Sequence, residues 1–165
     1  MGISIIIATA AYGPLHKLWS SFSPPLKKYK IPVHSALLRI CSPVWLTEIV
    51  TIEDKMRQRM KYQEVQDRNV LMKYVIRTDF PEAVRSIIRY VYGYHQEITR
   101  AADPFLLVAV YKECERLEMD RLRAEILKTL SSPVMNVQPL LSLAHAAEAL
   151  DVPQLLRECI RILAD

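Results

Sequence analysis

A chain of 165 residues, 51% hydrophobic and 24% charged, is long enough to bury a core without disulfide staples and too apolar to stay disordered. Its net charge of +4 is mild, and the excess between Lys55 and Arg89 is interleaved with Glu64, Asp67, Asp79 and Glu82, the pattern of a solvated surface rather than a nucleic-acid patch. Three glycines argue against phosphate-cradling loops and for mostly helical content; three widely spaced cysteines without a CxxC pair argue against a disulfide framework or zinc site and for a reducing compartment.

In chain order, Ile3 to Ala11 is an apolar run less than half as long as a bilayer span, with no basic residue ahead of it as in a signal peptide. It reads as a buried strand. Position 6 is Ile6, so the myristoylation pattern is not met. The following GPLHKLWSSFSPPLKK, rich in proline and serine, reads as loop or linker, and residues 1–29 as a whole are expected to be an irregular N-terminal segment. Pro32 disfavours helical angles at Ile31, so the chain extends there. SALLRIC then makes two helical turns, capped by His34 or Ser35, until Ser42-Pro43 interrupts it. VWLTEIV is expected as a second short helix. Thr51 to Asp54 meets a capping-box pattern loosely, ahead of a half-exposed basic helix with Ile52, Met56 and Met60 on one side.

Val70, Met72, Tyr74 and Ile76 alternate with mostly polar neighbours, the period of a strand with one buried face. Pro81 suits a first helical turn, and Val84, Ile87, Ile88, Val91 and Tyr92 recur at the spacing of one buried helical stripe, with Arg85 and Arg89 outside it. Gly93 stands where a left-handed residue ends a helix. Beyond it, the apolar set Leu107, Val110, Cys114, Leu117, Leu122, Ile126, Leu127, Leu130 recurs 33 positions later as Leu140, Leu143, Ala147, Leu150, Leu155, Cys159, Ile160, Leu163. Two helical hairpins are expected, breaking at Glu118-Met119-Asp120 and at Asp151-Val152-Pro153.

No residue pattern supports chemistry. His16, His34, His95 and His145 are scattered without a metal-ligand pair, and no nucleophile elbow, Walker loop or kinase signature is present. Glu113 and Glu115, on a helix with Lys112, Arg116 and Arg121, read as i to i+4 pairing on a solvated face. Cys41, Cys114 and Cys159 read as small buried hydrophobes, and Trp45 and Tyr90 as core. No catalytic residue, metal or cofactor is expected.

The motifs KIPVHSALLRICSPVW, YQEVQDRNVLMKYVIRTDFPEAVRSIIRYVYGYHQEIT and DPFLLVAVYKECERLEMDRLRAEILKTL, in this order, resemble a BTB/POZ domain. The matching positions are Val33-His34, Ser42-Pro43-Val44-Trp45, Pro81-Glu82-Ala83-Val84, Tyr90-Val91-Tyr92 and Leu106 through Leu130. NVQPLLSLAHAAEALDVPQLLRECIRIL resembles the first helices of the BACK region that follows many such domains. The resemblance implies an α+β fold, predominantly helical, with a BTB/POZ-like helical cluster and small β-sheet over residues 30–130 and a BACK-like hairpin over 131–165. The family's opening Asp-Val-x-Phe strand has no counterpart just before Val33; Ile3 to Ala8 is the candidate replacement, across a connection of about twenty residues, well beyond a hairpin loop. Phe80 stands where a capping Asp or Ser is usual.

Function follows from the same resemblance: a protein–protein interaction module that forms homodimers and binds a cullin scaffold as a ubiquitin-ligase adaptor, in the cytoplasm or nucleus. The alternative is an oligomerisation scaffold without a ligase; an enzyme has no motif behind it. Protein partners are expected, with neither membrane nor nucleic acid among them. The family places its hydrophobic-x-Glu cullin contact where Tyr62-Gln63-Glu64 stands, and the aromatic after Ser-Pro, here Trp45, near its partner-binding edge. Leu140 and Leu143 are expected to pack on the preceding hairpin and extend the surface offered to a partner.

Overall fold

The structure, a computed structural model, describes residues 2–9, 29–62, 72–99, 103–131 and 137–164. Among them are strands β1 Gly2–Thr9, β2 Tyr29–His34 and β3 Met72–Thr78. The helices are α1 Ser35–Cys41, α2 Pro43–Tyr62, α3 Pro81–Val91, α4 His95–Thr99, α5 Pro104–Arg116, α6 Asp120–Leu130, α7 Val137–Ala149 and α8 Pro153–Ala164. The described chain is predominantly helical. It divides into two compact units, Met1–Pro81 and Glu82–Asp165. That division does not coincide with the 130/131 boundary read from the sequence, because the last hairpin packs on the helices before it.

In the first unit the strands form one sheet in the order β2-β1-β3, with β1 antiparallel to β2 and parallel to β3. The register aligns Ile3 with Val33 and Met72, Ile5 with Ile31 and Tyr74, and Ile7 with Tyr29 and Ile76. Apolar residues therefore coincide at every second rung, and Val33, Tyr74 and Ile76 are buried while Lys73, Val75 and Arg77 are exposed. This corrects the reading of residues 1–29 as irregular: Gly2–Thr9 is the central strand, the backbone partner of both neighbours. A long connection is no bar, because closure entropy grows only with the logarithm of loop length.

Ser42 joins the first two helices. As the residue before Pro43 it is extended (φ −143°, ψ 122°), which ends α1, and its amide donates to the Leu38 carbonyl at 3.1 Å. Its hydroxyl then accepts from the Trp45 amide at 3.2 Å, capping α2, with Pro43 in the first turn. His34 is the residue preceding α1, but its side chain makes no cap bond. Beyond Ser42 the structure departs from two short helices: α2 runs unbroken for 20 residues. Thr51 does not cap; its hydroxyl donates to the Thr47 carbonyl at 2.8 Å, one turn back within the helix. Arg39 pairs with Glu53 at 3.3 Å, tying α1 to α2, and the Tyr74 hydroxyl donates to Glu48, tying β3 to α2.

In the second unit α3 buries Ala83, Val84, Ile87, Ile88 and Tyr90. Tyr92, assigned to this stripe by its spacing, lies past the last helical residue and is 37% exposed. Gly93 has φ +95°, with its amide donating to the Tyr90 carbonyl and that of Tyr94 to the Arg89 carbonyl, so the helix ends as its glycine predicts. Phe80 is itself buried, and its amide donates to the Thr78 hydroxyl at 2.9 Å.

The two hairpins repeat bond for bond. Helices α5 and α7 begin 33 residues apart, as do α6 and α8. Glu118 and Asp151, also 33 apart, both have φ 54°. The Met119 amide donates to the Cys114 carbonyl and the Val152 amide to the Ala147 carbonyl, each at 2.9 Å. Of the paired apolar positions, Leu107 and Leu140, Val110 and Leu143, Cys114 and Ala147, Leu117 and Leu150, Leu122 and Leu155, and Ile126 and Cys159 are buried in both copies. The hairpins stack with α5 on α7 and α6 on α8. Lys112 on α5 donates to the Leu150 carbonyl at 2.6 Å, and Arg123 on α6 to the Gln154 side-chain oxygen at 2.7 Å.

Candidate protein interface

The Ser-Pro step fixes what the first unit shows to solvent. Capping by Ser42 sets the phase of α2 so that Trp45 and Ile49 turn inward, both fully buried. Leu46 is 41% exposed and Ile40, in the last turn of α1, is 82% exposed. Trp45 thus has no surface to offer a partner; beside it in these two helices, Ile40 and Leu46 are exposed apolar side chains on either side of the step. Their exposure was not legible in SALLRIC or VWLTEIV, since two turns of helix with apolar residues on several sides do not declare a face. Tyr62 is the last residue of α2; Gln63, Glu64 and the side chain of Tyr62 lie outside what is described.

Leu140 and Leu143 are each 3% exposed, packed within the stacked hairpins, so they too support a surface from beneath. Exposed apolar residues of the last hairpin are instead Val137, Leu141 and Ile160, at 62%, 49% and 55%. Ile160 departs from the expected stripe, in which it answers to the half-buried Leu127.

The acidic residues of α5 behave differently from a solvated ladder. Glu113 is 5% exposed and accepts from Arg116 at 2.6 Å, while Glu115 meets Arg123 at 3.5 Å. Arg123 also lies 5.3 Å from the centre of the Tyr111 ring and pairs with Asp120 at 3.3 Å. Its pKa is raised, chiefly by the hydrogen bond to Tyr111. Through Glu115 and Tyr111, Arg123 joins α6 to α5, while the Glu113–Arg116 and Asp120–Arg123 pairs each lie within one helix.

Two thiols are held far from reactivity. Burial, and then the Glu113 charge, pushes the Cys114 pKa well above the ordinary thiol range. Burial, and then Glu158, pushes Cys159 up to about 11. A thiol that stays protonated at neutral pH is a poor nucleophile and a poor metal ligand. Among the described residues no group of three His, Cys, Asp or Glu side chains is placed to hold a metal. His95, beside an open depression over Gly93 to Gln96, packs edge-on against Tyr90 with ring centres 4.5 Å apart. Among the described residues no helix is long and apolar enough to cross a membrane.

No protein-family model matches this chain, and no curated protein matches it at a significant level.

Proposed function

We propose that this chain is a BTB/POZ-like interaction module that self-associates and serves as an adaptor for a cullin-based ubiquitin ligase. The observation that carries the reading is the order of elements around the motifs. A strand ending at Val33-His34 leads into two helices joined at Ser42-Pro43; strand β3 follows, and then the Pro81-Glu82-Ala83-Val84 helix with Tyr90-Val91-Tyr92 at its end. The position of β1 beside β2 adds support, since it fills the place of the opening strand that the sequence near Val33 lacks. The hairpin α7–α8, stacked on α5–α6, serves as the BACK-like extension. In this reading Tyr62 is the desolvated anchor for the cullin, Glu64 the orienting charge and Gln63 the spacer between them.

Affinity purification from eukaryotic lysate tests it. A cullin is expected with the wild-type chain and lost from Tyr62→Ala/Glu64→Ala, while the circular dichroism spectrum and melting profile stay unchanged. Retention of the cullin by the double variant would sink the assignment of the triplet. A wild-type chain that recovers none would move the reading to a ligase-free scaffold, which the exposed Leu141 and Ile160 favour.

A further inference from the structure

The sheet of the first unit ends on two unlike edges. Strand β2 carries Pro32, which has no N–H to donate, whereas β3 contains no proline and among the described residues pairs only with β1. The outer edge of β3 therefore offers a row of backbone donors and acceptors to a further strand. Along that edge Lys73, Val75 and Arg77 stand on one face, all exposed, with Val75 at 48%. Lys30 of β2, also exposed, is level with Val75 through Ile6 of the strand between them. Neither β2 nor β3 contains Asp or Glu, and among the described residues Lys30, Lys73 and Arg77 have no ion-pair partner. These charges bar the edge to itself: antiparallel pairing of two copies about Val75 would set Lys73 against Arg77 twice, and like charges directly opposite destabilise a sheet.

We propose that the open edge of β3 takes up an extended segment of a partner protein that carries two carboxylates four residues apart with a β-branched apolar residue midway. Directly opposed residues of neighbouring strands face each other, so the carboxylates, about 13 Å apart, meet Lys73 and Arg77 while the apolar residue meets Val75. The pattern reads the same from both ends and fits either strand direction. Lys30, two strand spacings or about 10 Å across the sheet, adds to the attraction. Charge alone would guard an edge; Val75 between the two cations gives an incoming strand an apolar contact as well. Nowhere in the 165 residues does an Asp or Glu stand four positions from another, so the chain's own segments do not supply the pattern. A nucleic acid would meet the cations but leave the backbone groups of the edge unanswered, which favours a protein. The site lies wholly within the first unit, shares no residue with the Tyr62–Glu64 triplet, and stands or falls apart from the cullin reading.

Fluorescence polarisation with the full chain and a labelled Thr-Thr-Glu-Thr-Val-Thr-Glu-Thr-Thr peptide tests it. Saturable binding is expected, weakened about tenfold or more by Lys73→Glu/Arg77→Glu with an unchanged circular dichroism spectrum. The peptide with lysines in place of its glutamates is expected to bind that double variant and so restore the complex. Moving the glutamates next to the valine puts them on the opposite face of the strand, and that peptide is expected to bind about tenfold more weakly. Hydrogen exchange is expected to slow within Lys73 to Thr78 when the first peptide is added. No complex with the wild-type chain, equal binding by the double variant, equal binding of the two glutamate peptides, slowed exchange only outside β3, or displacement of the peptide by a lower concentration of single-stranded oligothymidine would each overturn the proposal, the last in favour of a nucleic-acid site.

Discussion

At the scale of single residues, Trp45 shows how a motif and its surface role separate. Its ring is fully buried, and among the described residues its indole N–H has no partner. A buried donor left unpaired costs about 1–3 kcal/mol, while the ring's apolar contacts stabilise. Trp45→Phe removes the donor and keeps most of the ring, and the two effects oppose; its urea midpoint is expected to lie within about 1 kcal/mol of wild type. Trp45→Ala leaves a cavity and is expected to cost about 3–5 kcal/mol. A large loss in the Phe variant would mean that the N–H is satisfied. The core role of Trp45 was legible from its apolar surroundings. Its inward phase was not, since Ser42 sets it through a cap that periodicity does not contain.

Among the elements, the turns of the two hairpins carry local strain. Glu118 and Asp151 occupy the left-handed region, where Gly93 ends α3 at no steric cost. A side chain there costs about 1–2 kcal/mol, less for Asp, while glycine adds about 0.5–1 kcal/mol of unfolded-state entropy. Glu118→Gly is therefore expected to raise stability by about 0.5–1 kcal/mol in equilibrium unfolding, and Asp151→Gly by less. A destabilised Glu118→Gly would show that the turn is held by contacts of the Glu118 side chain. The hairpins themselves were readable in advance because helical periodicity is local and the 33-residue offset tested it twice. Thr51 was misread for an equally local reason: the same hydroxyl that caps a helix start can bond back to a carbonyl inside one. Tyr90 is buried as its core reading expects, while Tyr92 falls outside the buried stripe because Gly93 ends the helix before the stripe reaches it.

At the scale of the whole molecule, the central strand is the part least visible in sequence. An alternating or continuous apolar run states that it is buried, but its neighbours are chosen by segments far along the chain. Only the register, with Ile5 level with both Ile31 and Tyr74, explains why Gly2–Thr9 sits in the middle. Deleting residues 1–9 should strip β2 and β3 of their shared partner. Hydrogen exchange is expected to show protection lost at Lys30 to Val33 and Lys73 to Thr78; protection persisting in both strands would mean that they pair with each other instead.

The strand order also sets a clock for synthesis. Ile3 is made before its parallel neighbour Met72, which follows 69 residues later. At about 5–20 residues per second, β1 waits roughly 3–14 s with the edge that β3 takes still unpaired. Over that interval the nascent chain displays a bare, adhesive ribbon, and its yield depends on what shields that ribbon until β3 emerges.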